Sequence, residues 1–303
     1  MKKAIITGSN GFVGSAVVSE LLKNDIEVLA LGRKSSTKLV KTNNYTYLQI
    51  DLRDIDSLPE KIQKLGWKPG ESCIFYNFSW SGANGLTDGT IKDQIKNITY
   101  SAKSVIAAKK IGCTKFINVG TMEETFMEKF LDFDWKNKNY HSGQDIYAIS
   151  KVGSRDMCKL NAYLNKIDYV HTRFSVFIDE HLSANSYVHK VLRNIKNGKE
   201  YNTPQNKELF DIISLKEGAI AYRLIGETGI NNADYFIGSG DPKPLFYYFE
   251  KFKKVVSGLD NKKIDDLDFN DKILTPNSFC IKKLIKDTGF MPKISFEDFI
   301  KKY

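Results

Sequence analysis

Tyr147 and Lys151 are the two residues whose types and spacing most directly suggest proton-transfer chemistry. They stand four residues apart in a segment with helical periodicity, so they share one face of the predicted helix. The pKa of a free tyrosine is about 10, which makes its hydroxyl a poor acid or base near neutrality. A neighbouring ammonium group favours the ionised tyrosine. The pair is predicted to exchange a proton with a carbonyl or alcohol oxygen, although the same spacing also occurs by chance on helix surfaces.

A glycine-rich turn lies between the first predicted strand and the first predicted helix, with Gly8, Gly11 and Gly14 in a GxxGxxG spacing. In such turns the first glycine permits a tight bend, the second lets a pyrophosphate approach the backbone, and the third lets the helix pack closely. The N–H groups of the helix N-terminus also favour phosphate. The turn predicts a dinucleotide site contacted by Gly8, Asn10, Gly11, Phe12, Val13 and Gly14.

The end of the second predicted strand bears on the choice of cofactor. An acidic residue there commonly binds the ribose hydroxyls of NAD, but this chain has Arg33 and Lys34. Two cations suit the 2′-phosphate of NADP, so NADP is the predicted cofactor and NAD the alternative. Arg33 and Lys34 are otherwise a pair of solvated loop charges. Asp51 and Leu52, after the third strand, are predicted to contact the adenine.

Thr121 directly follows the fifth predicted strand. A hydroxyl at the carboxyl end of a strand faces the cofactor crevice of a parallel sheet, so Thr121 is predicted to hydrogen-bond the reacting oxygen of the substrate. The alternative is a structural role, because Thr121 and Glu124 have the spacing of a helix capping box. Residues 121–144 as a whole are polar and aromatic and are interpreted as an active-site loop.

The elements that must position these residues alternate between strand and helix. This alternation predicts an α/β fold with a doubly wound, Rossmann-like parallel sheet. Residues 1–178 are predicted to form the NAD(P)-binding domain with the catalytic residues. Residues 179–303 are predicted to be mainly a smaller C-terminal substrate-binding lobe, with some segments returning to the core sheet. The predicted strands are 3–6, 26–31, 45–50, 73–78, 115–119 and 169–174, and the main helices are 12–22, 58–65, 91–110 and 146–164.

The composition of the 303 residues excludes several classes of protein. Hydrophobic residues make up 42% of the chain, which is typical of a globular protein rather than a disordered one. No apolar run approaches the roughly 20 residues of a membrane span, and no signal peptide is recognised, so a cytoplasmic protein is expected. The net charge of +9 is spread along the chain, which disfavours nucleic acid as a partner. The four cysteines are widely spaced and the histidines lack ligand spacing, so no metal is predicted.

Several of these motifs occur together in one order along the chain: the glycine turn, Asn77-Phe78-Ser79, Asn97, Thr121 and the Tyr147–Lys151 pair. In this the chain resembles the extended short-chain dehydrogenase/reductases, and more narrowly the NAD(P)-dependent nucleotide-sugar epimerase/dehydratase family. The resemblance implies that Thr121, Tyr147 and Lys151 are the catalytic residues and that Asn97 supports the lysine. It also implies further cofactor contacts from Asn77, Phe78, Ser79, Asn97, Tyr147 and Lys151.

The chain departs from the family pattern at three places, one of which is Thr125-Phe126 in place of the usual Tyr-Gly. Met122-Glu123 stands where the dehydratases carry an Asp-Glu pair, so a complete dehydration is not expected. The segment after Arg173 lacks the Asn-x-x-Gly-Pro typical of the best-known epimerases, so the sugar cannot be inferred by analogy. Candidate substrate contacts, each of which has packing, capping or solvation as the alternative, are Trp80, Glu123, His141, Gln144 and Ser175.

The expected activity is the NADP-dependent reduction of a nucleotide-activated keto-sugar, with the ketone at C4 and Tyr147 as proton donor. A nucleotide-sugar 4-epimerase that retains NAD is the alternative, and a cofactor-binding regulator without catalysis is a third interpretation. A homodimer is also expected, since helices 91–110 and 146–164 carry apolar residues on more than one face. The C-terminal lobe is the alternative cover for these residues: Ile95, Tyr100, Val105, Ala108, Ile149, Met157, Leu160 and Leu164.

Overall fold

The computed structural model describes residues 1–35, 42–82, 90–131, 144–202, 208–258 and 273–303. Within these ranges, no helix combines the length and the apolar character that crossing a membrane requires. The strands in chain order are β1 Lys3–Thr7, β2 Glu27–Gly32, β3 Tyr45–Gln49, β4 Cys73–Asn77, β5 Lys115–Val119, β6 Asp168–Phe174, β7 Val176–Ile178, β8 Leu209–Phe210, β9 Ile212–Ser214, β10 Ala233–Ile237 and β11 Lys243–Pro244.

Seven of these strands form one sheet in the order β10-β6-β5-β4-β1-β2-β3. Every neighbouring pair in it is parallel. The order reverses direction between β1 and β4, and this switch point is where α/β sheets bind their ligands. The predicted doubly wound parallel sheet is therefore confirmed.

Helices cover both faces of the sheet. The helices in chain order are α1 Phe12–Lys23, α2 Leu58–Leu65, α3 Ile91–Ile111, α4 Met122–Phe130, α5 Asp145–Leu164, α6 Tyr187–Lys196, α7 Leu215–Thr228, α8 Leu245–Ser257, α9 Lys282–Thr288 and α10 Phe296–Ile300.

Alternate residues of each strand enter two different cores, as the pleat of a strand requires. On one face, Ile6 and Tyr76 pack with α1 and α7. On the other face, Ile5, Phe75 and Phe116 pack with α2, α3 and α5. Val105 and Ala108, which the sequence counted among the spare apolar residues of α3, are fully buried in this second core.

The chain after β6 divides between the sheet and a separate core. β10 extends the main sheet beside β6, and α7 packs against α1. A third core joins α6, α8 and α10 with the two-stranded sheet of β7 and β9. The three-residue strands β7 and β9 are too short to be recognised from sequence periodicity.

The interpretation of residues 121–144 as a loop is wrong at its beginning, because α4 occupies Met122–Phe130. This helix starts at a capping box, in which the Thr121 hydroxyl accepts from the first turn and Glu124 accepts from the Thr121 N–H. The polar and aromatic composition of the segment conceals the helix, whereas the capping spacing was its visible signal. Residues 132–143 lie outside the described part of the chain.

Candidate functional site

A cleft of about 710 Å³ runs along the carboxyl ends of β1, β2 and β4 and reaches α3. It brings together most of the residues predicted to bind the cofactor, together with Trp80. Those lining it are Gly8, Asn10, Gly11, Arg33, Lys34, Asp51, Leu52, Phe78, Ser79, Trp80 and Asn97. Residues that sequence reasoning missed also line the cleft. For three of them, Asp93, Lys96 and Tyr100, the available signal was their helical spacing around Asn97. The missed residues are Thr7, Leu31, Gly32, Ile50, Arg53, Gly82, Asp93, Lys96 and Tyr100.

The glycine turn has the close approaches that its spacing predicts. Gly8 has φ +67°, and a Cβ on it would lie 3.0 Å from the backbone of Phe78 and Ser79. A Cβ on Gly14 would overlap the carbonyl oxygen of Gly8, so the helix can approach the strand only with glycine there. The α1 N-cap, Gly11, supplies no side-chain cap to the first N–H groups of α1. The open backbone cradle therefore fits a dinucleotide pyrophosphate.

Phe12, Val13 and Gly14 do not line the cleft, contrary to the prediction for them. Phe12 and Val13 pack against the core beneath the first helix. Gly14 acts through the helix–strand contact. The side chains of Phe12 and Val13 fix the turn, and a cofactor contact from these two residues, which stays a prediction, is left to the backbone N–H groups of the first turn of α1.

Arg33 and Lys34 are exposed at the far end of the cleft, with their backbone fixed by the neighbouring strand. Gln49 Nε2 donates to the Arg33 carbonyl at 2.9 Å, and the Tyr47 hydroxyl donates to the Lys34 carbonyl at 2.7 Å. Asp51 lies beside them. Burial alone would raise the pKa of Asp51, but hydrogen bonds from Arg53 and the charges of Arg53 and Arg33 hold that pKa below its usual value. Asp51 therefore stays ionised in a strongly cationic surrounding.

Thr121 and Tyr147 meet at the carboxyl end of β5. Thr121 is the N-cap of α4, and its Oγ1 accepts from the Glu123 N–H at 3.4 Å. The Tyr147 side chain is buried and hydrogen-bonds the Thr121 side chain. Burial and the charges of Glu124 and Glu123 raise the pKa of Tyr147 well above its usual value, although the bond to Thr121 opposes this shift. The phenol is therefore protonated at neutral pH.

Lys151 is buried on the next turn of α5. Its Nζ donates to the Val119 carbonyl at 2.8 Å and lies 3.9 Å from the centroid of the Trp80 ring. Burial lowers the pKa of Lys151 to about 8, although the charge of Glu124 opposes the shift. Nζ is 5.8 Å from the Tyr147 ring centroid. The expectation that Lys151 lowers the pKa of Tyr147 is not met, because burial and the charges of the two glutamates dominate.

Trp80 joins the cleft to this inner site. Its ring meets the Tyr147 ring edge-on with centroids 5.9 Å apart, and its Nε1 donates to Gln94 Oε1 at 2.9 Å. Asn97 holds the same loop, since its Oδ1 accepts from the Ser81 N–H at 2.9 Å. The Asn97 side chain is bonded to the Ser81 backbone, next to Trp80, which contacts Lys151, and support of the lysine by Asn97 stays a prediction.

The other residues predicted to bind the cofactor or the substrate lie at various places around Thr121, Tyr147 and Lys151, the candidate catalytic trio. Asn77 is buried below the cleft, where its amide bonds Thr7, Ser101 and Asn118 rather than facing a cofactor. Glu123 is partly buried beside Thr121, and Gln144 directly precedes α5. Ser175 lies between β6 and β7, and His141 falls outside the described residues.

The same fold occurs in proteins of known structure. UDP-glucose 4-epimerase from Thermotoga maritima, solved with UDP-glucose, superposes with a TM-score of 0.75 and 19% identity over 99% of this chain and 96% of that one. UDP-glucose 4-epimerase from Thermus thermophilus, solved with NAD, gives a TM-score of 0.72 and 15% identity over the same shares. These likenesses establish the fold.

The sequence itself matches a curated protein and a family model. An uncharacterised protein of Methanocaldococcus jannaschii is 22% identical over 100% of this chain and 95% of its own length. The model of the NAD dependent epimerase/dehydratase family matches residues 4–238, which include the glycine turn and all three residues of the candidate trio. This match spans well over half of the chain, and the protein belongs to the NAD dependent epimerase/dehydratase family.

Proposed function

We propose that this protein is an NADP-dependent reductase of a nucleotide-activated 4-keto-sugar. The observation that carries the proposal is the protonated, buried Tyr147 hydroxyl, hydrogen-bonded to Thr121 at the inner end of the cleft. Reduction of a ketone requires a proton for the new alcohol oxygen, and a tyrosine that holds its proton is suited to donate it. A bound nicotinamide nucleotide supplies the hydride.

Other residues along the cleft are suited to bind the cofactor. The backbone of Gly8 and Gly11 is suited to the pyrophosphate, and Asp51 with Leu52 to the adenine. Arg33 and Lys34 stand where a 2′-phosphate is expected, and no carboxylate follows β2 to hold unmodified ribose hydroxyls. These charges support NADP over NAD, because cations form strong charge-assisted hydrogen bonds with phosphate.

The trio has complementary roles towards the substrate oxygen. Tyr147 donates the proton, and Thr121, whose Oγ1 is fixed by the first turn of α4, hydrogen-bonds the same oxygen. Lys151, with a pKa of about 8, carries its charge at neutral pH and stabilises the tyrosinate that remains after the transfer. Trp80, Glu123, His141, Gln144 and Ser175 are the residues we propose to contact the sugar.

A nucleotide-linked substrate is supported by the family and by its solved members. The Thermotoga maritima structure contains UDP-glucose, and the WbmG enzyme of Bordetella bronchiseptica was solved with NAD and UDP. We propose that the protein acts in the cytoplasm and that the nucleotide diphosphate lies between the cleft and the part of the chain that holds the third core, with α6, α8 and α10, here called the α6–α8 lobe. The buried thiols of Cys73, Cys113 and Cys158, which form no disulfide, suit that reducing compartment.

An NAD-dependent 4-epimerase is the second candidate. The observation in its favour is the match to a family that contains epimerases, together with a trio that needs no change for that reaction. In an epimerase the same Tyr147 would both remove and return the proton. The cofactor would be regenerated in its original form at the end of each turnover.

One assay separates the two candidates. The purified protein is incubated with NADPH or NADH and a panel of nucleotide-linked 4-keto-sugars, and the decrease in absorbance of the reduced cofactor is compared with the product formed. A reductase consumes one cofactor for each product. An epimerase converts a nucleotide sugar without net consumption and carries NAD through purification, which native mass spectrometry detects.

We also propose a homodimer formed by α3 and α5. Ile95 on α3 is 53% exposed, and Leu160 and Leu164 on α5 are 51% and 65% exposed. These two helices pack side by side on one face of the sheet, so their outer apolar residues form a common surface. A second copy of the same surface, related by a two-fold axis, is the cover we propose.

A further inference from the structure

A row of buried polar side chains crosses four neighbouring strands directly below the cleft. Thr7 on β1, Asn77 on β4, Asn118 on β5 and His171 on β6 are paired in register, each with the next. All four are at most 3% exposed. The residues two positions earlier on the same strands belong to the apolar core: Ile5, Phe75, Phe116 and Tyr169. The sheet therefore changes from apolar to polar at or near the carboxyl ends of these strands.

The hydrogen bonds of the row all point the same way. Thr7 Oγ1 donates to Asn77 Oδ1 at 2.9 Å, and Asn77 Nδ2 donates to Asn118 Oδ1 at 3.3 Å. Asn118 Nδ2 faces His171 Nδ1 at 3.5 Å, the longest link. Because an amide nitrogen only donates, we assign His171 Nδ1 as the acceptor and place the ring proton on Nε2; the Tyr169 hydroxyl also faces Nδ1, at 3.4 Å. That proton goes to Glu124 Oε2 at 2.8 Å.

The two ends of the row reach the two halves of the candidate site. At one end, the Ser79 N–H donates to Thr7 Oγ1 at 3.1 Å, next to the loop that lines the cleft. At the other end, Glu124 Oε1 accepts from the Thr121 N–H at 2.8 Å. Glycine at position 120 allows Glu124 and His171 to come this close, since a Cβ there would overlap both Glu124 Oε1 and His171 Nε2.

A helix cap alone does not explain Glu124. A capping glutamate needs one oxygen and is normally solvated, whereas Glu124 is 0% exposed and has both oxygens bonded. Burying a carboxylate is expensive unless every oxygen has a partner. The partner on β6 is His171, and the row holds His171 in the one tautomer that can donate to Glu124.

We propose that Glu124, held by His171 and the row Thr7–Asn77–Asn118, is a positioning residue that orients Thr121 towards Tyr147. It fixes the Thr121 backbone while the Thr121 hydroxyl remains with the Glu123 N–H and Tyr147. The row also sets the spacing between the glycine turn and Thr121. This inference rests on the proposed function for its kinetic test but not for its structural test.

The kinetic test is Glu124→Gln. The Gln carbonyl can keep the Thr121 N–H bond, but its amide group meets the His171 Nε2–H, so two donors face each other. We expect kcat to fall about tenfold or more, with the KM for NADPH changed less than about twofold, since a misplaced catalytic hydroxyl affects the transition state rather than cofactor binding. Glu128→Gln on the same helix is the matched control, because Glu128 is exposed and pairs with Arg155; it should keep wild-type kinetics.

A double-mutant cycle tests whether Glu124 acts through Thr121. Thr121→Ala removes the hydroxyl and keeps the backbone N–H. If Glu124 positions that hydroxyl, adding Glu124→Gln to Thr121→Ala lowers kcat by less than about twofold further. Losses that multiply would overturn the proposal. His171→Gln retains a donor near the position of Nε2, so it should be about tenfold more active than His171→Leu; equal activities would also overturn it.

The structural test needs no substrate. In ¹⁵N-histidine-labelled protein at pH 7, His171 should show a protonated Nε2 and an unprotonated Nδ1, and Glu124→Gln should change this signal. A protonated Nδ1 in the wild type would overturn the direction of the row and with it the proposal. A wild type with this tautomer but without turnover on any keto-sugar would contradict the proposed function alone, and Glu124→Gln would then be tested by its ¹⁵N signal and its thermal unfolding against Glu128→Gln.

Discussion

The ammonium nitrogen of Lys151 lies 3.9 Å from the centroid of the Trp80 ring, over its face. A cation over an aromatic face in a desolvated site gains about 2 kcal/mol. A contact of this kind offsets part of the cost of burying the Lys151 charge. Trp80 also meets Tyr147 edge-on, so one ring contacts both members of the Tyr–Lys pair.

Trp80→Ala is therefore expected to lower kcat about tenfold, because Lys151 loses its cation–π contact with the aromatic ring. Trp80→Phe keeps an aromatic ring and should lose less than about threefold. Steady-state kinetics of the two variants give the comparison. Equal kcat values for Ala and Phe would show that the ring does not hold Lys151.

Tyr147→Phe should abolish nearly all turnover while the affinity for cofactor changes only a few-fold, because the ring remains and only the transferable proton is lost. General acids contribute on the order of 10² to 10⁴ in rate. Tyr163→Phe is the matched control, since Tyr163 is on the same helix and exposed. A Tyr147→Phe enzyme with more than about half of the wild-type kcat would exclude Tyr147 as the acid.

Arg33→Ala should weaken the binding of NADP at least about tenfold and that of NAD hardly at all. Losing a charge-assisted contact to phosphate costs roughly 1.5–3 kcal/mol, and NAD lacks the phosphate. Calorimetric titration with both cofactors measures the difference. If both affinities fell equally, Arg33 would serve the pyrophosphate or the fold instead of the 2′-phosphate.

The sequence predicted the sheet and the cleft well because both depend on local patterns. The apolar segments that end in Thr7 and Val119 and the spacing of Gly8, Gly11 and Gly14 are visible in the chain. The buried row was not predictable in this way. Asn118 and His171 are single polar residues within apolar strands, and their meeting depends on the register of β5 with β6. Asn77 was accordingly interpreted as a cofactor contact, although its amide is used within the sheet.

The pKa of Lys151 predicts how its burial affects stability. The folded pKa of about 8 lies below the unfolded value of 10.5, so the unfolded chain binds this proton more tightly. Burial of the charge therefore destabilises the fold fully below pH 8, and this cost is relieved as pH rises from 8 towards 10.5.

Lys151→Met should consequently be more stable than the wild type at pH 7.5, and its advantage should shrink by about 2 kcal/mol at pH 9.5. Denaturant unfolding of both proteins at the two pH values measures the change. The other titrating groups are common to both proteins and cancel in the comparison. An advantage that grew with pH would contradict the lowered pKa of Lys151.

The outer faces of α3 and α5 give the last prediction. Ile149 and Met157 are each 44% exposed on α5, one above the other with Leu160 and Leu164 further along the helix. The α6–α8 lobe has its own core, made with α10, and that core takes none of these four residues. A second copy is thus the cover that we expect.

Light scattering at micromolar protein should give about twice the chain mass of 34.5 kDa. Met157→Lys should give the single-chain mass, because a charge in an apolar two-fold contact meets its own copy. Lys159→Met changes an exposed residue of the same helix in the opposite direction and should leave the dimer intact. A wild-type protein of single-chain mass would refute the dimer.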